Sequence, residues 1–159
     1  MKARLGRAGP AWRVALGVLV VAMCAWQGDA MAKMVIFSAV QGQVLLNGAP
    51  VAGAEIVREF HWAWKSEDGG DKTGTGKDGG FVLPTIERSS FLGSLLPHEA
   101  VIKQRILVRH AGKSYDLWLN FKRDYDNNSE NGGRPIKVVC RLEGEPVRRG
   151  QIMGLCEFV

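Results

Sequence analysis

Short segments in which apolar and polar residues alternate, separated by clusters of turn residues, fill the chain from residue 35 to its end. Successive side chains of a strand point to opposite faces, so each such segment has one apolar and one polar face. No segment shows a sustained helical period. Strands with one buried and one solvated face are typical of antiparallel sheets that pack on each other. The sequence therefore predicts an all-β fold, an antiparallel β-sandwich.

Eight segments are candidate strands, each bounded by Gly, Pro, Asn or Asp. They are 35–40, 43–46, 54–64, 80–83, 101–110, 114–121, 136–142 and 152–158. Alternation places three sets of apolar side chains on common faces: Ile102, Ile106 and Val108; Tyr115, Leu117, Leu119 and Phe121; and Ile136, Val138, Cys140 and Leu142. Asn47-Gly48 predicts a tight turn, and residues 89–96 (SSFLGSLL) predict one short helical turn.

The N-terminal segment has the pattern of a secretory leader. Four basic residues precede an apolar run at 14–25, and Ala30-Met31-Ala32 is an A-x-A cleavage pattern. We predict a helical signal peptide over 1–32 and a single domain over 33–159, which places the mature protein in the periplasm or outside the cell. A permanent anchor is the weaker interpretation, because the run of about a dozen residues is shorter than the roughly 20 that a membrane helix needs. Met23 before Cys24 argues against a lipid anchor at that cysteine.

The net charge gives little support for nucleic-acid binding. The leader holds four of the 21 basic residues and one of the 16 acidic ones, so the mature chain would carry +2 instead of +5. The basic balance belongs mainly to the targeting segment, and we expect no nucleic-acid partner.

Two cysteines remain after cleavage, Cys140 and Cys156. An even pair in an exported chain predicts a disulfide, worth about 3 kcal/mol for a loop of this length. Two buried free thiols are the alternative. A tetrahedral zinc site is not expected, because no Cys or His stands at ligand spacing.

The segment from Gly42 to Ala54 (GQVLLNGAPVAGA) resembles the opening of carboxypeptidase regulatory-like domains, which are transthyretin-like β-sandwiches. Thr75 to Phe81 (TGKDGGF) resembles the T-D-x-D-G-x-F turn of that family, with Gly76 where the family has Asp. The later part resembles a group of small uncharacterised exported bacterial proteins that share this sandwich, on Leu96 to Glu99, Ile102 to Arg105, Trp118, Ser129-Glu130 and the two cysteines. The resemblance implies a periplasmic, non-catalytic module.

Catalytic motifs are absent from the sequence. His61, His98 and His110 have no spacing typical of a metal site or a proton relay, and no nucleophile motif occurs. A small hydrolase would need a pocket that joins His98 or His110 to a carboxylate. Asp124, Asp126, Asn128 and Glu130 alternate like ligands of a calcium loop, but Ser129 and Pro135 break that template. We expect no enzyme, no metal and no cofactor.

Aromatic and basic residues give two candidate contact surfaces. Phe60, Trp62 and Trp64 share one strand face, which Arg58 interrupts. They either form the sandwich core, with Arg58 extending to its rim, or present Trp62, Trp64 and Trp118 as a platform for a sugar or a protein. Lys103, Arg105 and Arg109 form a basic stripe, which is either a solvated face or a match to an acidic partner.

Two polar, Gly-rich stretches, 65–79 and 122–134, are predicted as surface loops, where binding sites are often built. The leading functional hypothesis is an exported module that binds another protein of the cell envelope, in envelope assembly or toxin neutralisation. A glycan-binding module is the second hypothesis, and the small hydrolase is the third.

Overall fold

The structure is a computed structural model that describes residues 32–90 and 98–159. Within those ranges it contains thirteen β-strands and two 3-10 turns, Ala63–Lys65 and Ser129–Asn131. The strands are β1 (Ala32–Phe37), β2 (Val40–Leu46), β3 (Ala49–Pro50), β4 (Glu55–Trp62), β5 (Glu67–Gly74), β6 (Gly80–Leu83), β7 (Ile86–Ser90), β8 (Ile102–His110), β9 (Lys113–Lys122), β10 (Ile136–Arg141), β11 (Val147–Arg149), β12 (Ile152–Gly154) and β13 (Cys156–Phe158). No helix in this part of the chain is long and apolar enough to cross a membrane.

The strands form an all-β sandwich, as predicted. One sheet has the order β11-β12-β9-β8-β4-β5, a second has the order β13-β10-β2-β3 with β6 also paired to β2, and β1 pairs with β7. All pairs are antiparallel except β2 with β10, which run parallel. The purely antiparallel expectation is wrong for this pair. Parallel neighbours need a long connection, and the whole chain between β2 and β10 supplies it.

The core lies between the sheets and is apolar along most of its length. Trp118 of β9 packs against Phe37 of β1 and Phe158 of β13, with ring centroids 6.3 and 6.0 Å apart. Ile56, Ile102 and Val108 line the same interior with no solvent exposure. Each fully buried apolar side chain contributes about 1.5–3 kcal/mol, so this core is the main source of stability.

A β-bulge in β9 changes which residues face the core. Ile106 pairs with Trp118 but Leu107 pairs with Asp116, so Leu117 is an extra residue in β9. One extra residue exchanges the two faces of a strand beyond it. The predicted common face therefore holds for Tyr115 and Leu117 only. Beyond the bulge Trp118, Asn120 and Lys122 point inward, and Phe121 is 48% exposed.

The predicted loop at 65–79 is wrong for most of its length. Glu67–Gly74 forms β5, which pairs with β4 along its whole length as the edge strand of the large sheet. The polar composition of β5 does not predict a strand, because its inward positions are covered by side chains of the neighbouring strand β4. A Cβ on Gly69 would lie 2.7 Å from the ring of Phe60. Only residues 75–79 connect β5 to β6, where Gly79 has a φ of +74°.

Asn47 and Gly48 form the predicted turn between β2 and β3, with φ values of +51° and +78°. The predicted leader, including Cys24, lies outside the described residues except for Ala32, the first residue of β1. The predicted helical turn at 89–96 begins with Ser89 and Ser90, which belong to β7 instead. Residues 91–97 lie outside the described part.

The predicted disulfide between Cys140 and Cys156 is present. The two residues are direct partners across β10 and β13. The bond therefore fixes the C-terminal strand, β13, to β10, an inner strand of the second sheet.

Candidate functional site

The predicted tryptophan platform does not form as expected, because two of its three members are buried. Trp62 is 2% exposed and Trp118 is 1% exposed. Trp62 ends β4 on its inner face, where its Nε1 donates a hydrogen bond to Oη of Tyr125 at 3.0 Å. Trp118 points inward because of the bulge at Leu117. Neither indole can stack on a ligand at the surface.

Trp64 lies on the 3-10 turn after β4 and is only partly buried. Its ring stacks on the imidazole of His98, with centroids 4.0 Å apart, and Nζ of Lys65 lies 4.2 Å from its centroid. His98 in turn shares a 2.8 Å hydrogen bond with Oη of Tyr125. Trp64 therefore belongs to an aromatic cluster with Trp62, His98 and Tyr125.

The sequence led us to expect that Arg58 extends to the rim of the core, but it does not. Its side chain is fully buried and forms two hydrogen bonds to Asp71 of β5, at 2.8 and 2.6 Å. Paired donors that match both carboxylate oxygens make this one of the stronger kinds of ion pair. Arg58 therefore fixes the edge strand and is not available to a partner.

The basic stripe lies on the outer face of β8, as predicted, but most of its charge is paired within the sheet. Arg105 donates to Asp116 at 2.7 Å and also approaches Glu59. Arg109 lies 2.9 Å from Glu55. These exposed pairs contribute little stability, yet they leave Lys103 as the stripe's one cation without an ion pair among the described residues.

A network of polar side chains is buried where the two sheets meet the loop after β9. Lys122, the last residue of β9, is 2% exposed, and its Nζ donates to Glu130, to Ser129 and to the carbonyl of Asp126. The Lys122–Glu130 distance is 3.0 Å, and the Glu130 side chain has no solvent exposure. A buried charge is tolerated only when it is paired and hydrogen-bonded, as both of these are.

The same carboxylate orders the neighbouring amides. Gln104 donates its Nε2 to Glu130 at 2.8 Å and to the carbonyl of Ile36, so its Oε1 is left to accept. That oxygen accepts from Nδ2 of Asn120 at 2.8 Å. Glu130 thus sets the direction of the whole chain of hydrogen bonds, and Oδ1 of Asn120 is its free end, buried with no partner in the described part of the chain.

The environment lowers the pKa of Glu130. Burial alone would raise it, because it disfavours the charged form. Hydrogen bonds from Gln104 and Ser38 and the charge of Lys122 outweigh burial, so the net pKa lies below the ordinary value. Glu130 is therefore a carboxylate at neutral pH and provides the counter-charge for Lys122.

An open cleft of about 440 Å³ lies over this network. The loop after β9, the turn between β11 and β12 and the C-terminal strand form its walls. Its lining residues are Asn120, Lys122, Arg123, Asp124, Ser129, Glu130, Asn131, Gly132, Arg134, Arg149, Gly150, Gln151 and Phe158. We call it the arginine cleft, after Arg123, Arg134 and Arg149 at its rim.

The rim of the arginine cleft carries positive charge that the protein does not neutralise. Inside the cleft Lys122 pairs with Glu130 at 3.0 Å and with Asp124 at 3.5 Å, so the lining also holds two carboxylates. Arg149 bonds to Glu157 at 2.8 Å. Arg123 and Arg134 form no ion pair with any residue of the described ranges. Guanidinium groups without an ion pair at a concave site attract an anionic group.

Comparison with known proteins gives a family for the chain. Residues 40–145 match the family model "Domain of unknown function (DUF6795)". This chain belongs to the DUF6795 family. No curated protein matches the chain, and no solved structure does.

The DUF6795 match includes most of the arginine cleft. It runs from the start of β2 past the end of β10, and it contains Asn120, Lys122, Arg123, Glu130 and Arg134. The remaining residues that line the cleft lie after the match: Arg149 ends β11, Gly150 and Gln151 form the turn before β12, and Phe158 ends β13. The predicted loop at 122–134 is thus part of the site, although its first residue ends β9 and Ser129–Asn131 forms a 3-10 turn.

One further cavity of this DUF6795 chain and the calcium-like spacing bear on the other expectations. His98 lines a shallow cavity of about 540 Å³ with Glu99, Asp124 and Asp126, the combination that a hydrolase would need. Its Nε2, however, is bonded to Tyr125 and its ring is stacked on Trp64. The calcium-like spacing gives no ligand set, because Glu130 turns into the interior. Within 32–90 and 98–159, no three His, Cys, Asp or Glu side chains form a metal-binding group.

Sequence reasoning missed Asn120 and Lys122 because they alternate with Leu119 and Phe121, which the sequence pattern places on the apolar face. The bulge at Leu117 reverses that face, and no sequence pattern indicates the bulge. Gln104 was missed although it lies on the apolar face between Ile102 and Ile106, where a polar residue was the available signal.

Proposed function

We propose that this DUF6795 protein is a non-catalytic binding module of the cell envelope, which holds an acidic group of its partner in the arginine cleft. The observation that carries the proposal is that Arg123 and Arg134, at the rim of the cleft, form no ion pair among the described residues, whereas the carboxylates of the lining, Asp124 and Glu130, are paired with Lys122. A planar guanidinium binds a carboxylate through two parallel hydrogen bonds, which gives both affinity and orientation.

The proposed location is the periplasm or the cell exterior, reached through the leader at 1–32. The Cys140–Cys156 disulfide supports it, because such bonds persist in oxidising compartments and are rare in the cytosol. The A-x-A pattern at residues 30–32 supports the same route.

The proposed subtype of the sandwich is transthyretin-like, of the carboxypeptidase regulatory-like kind. The contacts of the resembling segments support it. Oγ1 of Thr75 donates to the carbonyl of Val51 and accepts from the amide of Ala54, which ties the two quoted motifs together. Asp78 accepts from the amide of Gly80 and closes the turn before Phe81.

The partner is an acidic component of the envelope, and the arginine cleft replaces the tryptophan strand as its contact surface. A protein partner was favoured by tryptophan hot spots, and the burial of Trp62 and Trp118 removes that argument. A carboxylate from a partner protein or from an acidic glycan offers the same chemistry to Arg123 and Arg134.

The experiment is affinity capture from an envelope extract on immobilised protein. The test variant is Arg123→Gln with Arg134→Gln. The control is Lys103→Gln with Arg109→Gln, which removes the same charge from the outer face of β8. We expect several-fold less acidic material on the test variant and little change on the control. If the Arg123, Arg134 variant and the Lys103, Arg109 variant retain equal amounts of acidic material, net charge alone attracts that material and the proposal is wrong.

A further inference from the structure

Oδ1 of Asn120 is the one acceptor of the buried network that has no donor in the described part of the chain. Asn120 is 2% exposed and lines the arginine cleft. Its Nδ2 is committed to Gln104, so the amide cannot turn without breaking a 2.8 Å hydrogen bond. An unpaired buried acceptor destabilises the protein. A ligand donor that reaches this oxygen, after the lining side chains shift to admit it, would remove that cost.

The unpaired acceptor of Asn120 and the rim arginines belong to the lining of one cleft, so one ligand can bind to both. Arg134 and Arg123 require an anionic group, and Asn120 requires a hydroxyl or an N–H. Other lining groups add donors and acceptors, among them Gln151 and Asn131. A small acid with several hydroxyl groups meets all of these requirements.

The size and the lining of the arginine cleft favour a sugar ring over an apolar peptide. Its volume of about 440 Å³ is within the range of small-ligand pockets, roughly 300–1,000 Å³. Phe158 is the one aromatic residue of the lining in the described ranges, and its ring is held edge-to-face on Trp118. The residues that line the cleft are polar except for Phe158 and two glycines, so the lining is not a groove for an apolar peptide. Arginine clusters also bind acidic peptides, and an acidic peptide is therefore the competing ligand in the test below.

We infer that the arginine cleft binds an acidic sugar, with the carboxylate of a uronic acid residue on the rim arginines and a ring hydroxyl donating to Asn120. The inference rests on the proposed function and names the chemical class of its ligand. The occupant is a uronic acid residue of a polysaccharide chain, whose neighbouring residues leave through the open side of the cleft.

The test is calorimetric titration of the full chain, produced in an exporting host, with trigalacturonate. Two matched ligands separate the contributions: maltotriose has the hydroxyl groups without charge, and a capped triglutamate peptide has three carboxylates without ring hydroxyls. We expect trigalacturonate to bind at least about tenfold more tightly than either, since each lacks one set of charged or neutral hydrogen bonds. We expect Arg134→Gln to weaken it about tenfold and Lys103→Gln to leave it unchanged.

Nuclear magnetic resonance provides a readout that does not depend on a variant that folds. The side-chain amide resonances of Asn120 and the ring resonances of Phe158 should shift with trigalacturonate and not with triglutamate. Equal affinity for both acids, or shifts that exclude Asn120, would overturn the sugar assignment.

The two proposals can fail separately. If capture from the envelope depends on Arg123 and Arg134 but trigalacturonate does not bind, the proposed function stands and the sugar assignment is wrong. If triglutamate binds more tightly than trigalacturonate, the ligand is an acidic protein segment and the sugar assignment is again wrong. If capture does not depend on Arg123 and Arg134 and neither trigalacturonate nor triglutamate binds, both proposals are wrong.

Discussion

Nζ of Lys122 lies 3.0 Å from Oε2 of Glu130, and the two side chains are 1% and 0% exposed. An ion pair this deep recovers its dehydration cost only when further hydrogen bonds complete it. Here Ser38, Gln104 and Ser129 supply them. The pair also joins β9 to the loop that forms a wall of the arginine cleft, so the stability of the core and the shape of the cleft depend on the same contact.

Glu130→Gln should destabilise the protein by about 3 kcal/mol, because it leaves the Lys122 charge buried without a counter-charge. Urea denaturation would measure the change. Glu87→Gln is the matched control, since Glu87 pairs with Lys33 at an exposed site and its loss should cost less than about 0.5 kcal/mol. Similar effects of the two substitutions would contradict a special role for the buried pair.

Acid should weaken the fold through the same carboxylate. The folded state lowers the pKa of Glu130, so it binds this proton less readily than the unfolded state does. The resulting stability is complete above the ordinary carboxyl pKa, and it is lost as the pH falls toward the lowered pKa. Unfolding free energies measured from neutral pH downward should therefore fall more steeply for the natural chain than for Glu130→Gln. Parallel pH profiles would refute this assignment.

Reduction of the Cys140–Cys156 bond should lower the melting temperature by roughly 10 °C, which corresponds to about 3 kcal/mol for this loop in a domain of this size. The two cysteines are 16 residues apart in sequence. A scan with and without reductant, beside a Cys140→Ser, Cys156→Ser variant, measures the effect. The variant should have the melting temperature of the reduced protein, and reductant should not change it. An unchanged melting temperature would remove the disulfide from the account of stability.

Trp62→Ala should cost about 3–5 kcal/mol, because it empties a fully enclosed site in the core. Trp64→Ala should cost clearly less, since that ring is only partly buried. Acrylamide quenching gives a second measurement: fluorescence from Trp62 should be protected, and fluorescence from Trp64 more accessible. Equal destabilisation by the two substitutions would contradict the burial of Trp62.

The sequence was sufficient to predict most of the fold, because alternation reports burial directly. The strands at 80–83 and 136–141 and the turn at Asn47-Gly48 were found with bounds close to those of the structure. The pairing of Cys140 with Cys156 followed from counting the cysteines of a chain that we predict to be exported. These features depend on local chemistry, which a single sequence contains.

The arginine cleft could not be predicted, because its parts meet only through tertiary contacts. The inward turn of Glu130 depends on Lys122 and Gln104, which a bulge and a strand pairing bring to it. The parallel pairing of β2 with β10 has no local signal either. The loop at 122–134 was predicted as a surface loop of the kind in which binding sites are often built, but no local pattern indicated that Arg123 and Arg134 would lie at the rim of a cleft.

The edge strand β5 provides the last prediction, because its composition indicated a loop and one contact explains why it is a strand. Arg58 is fully buried and has Asp71 as its counter-charge. Asp71→Asn should therefore cost about 3 kcal/mol and speed amide exchange selectively in 67–74. Asp68 lies on the same strand and forms an exposed pair with His61. Asp68→Asn should therefore lower the free energy of unfolding by less than about 0.5 kcal/mol. If both substitutions loosen β5 equally, its position depends on backbone pairing alone and not on the buried guanidinium.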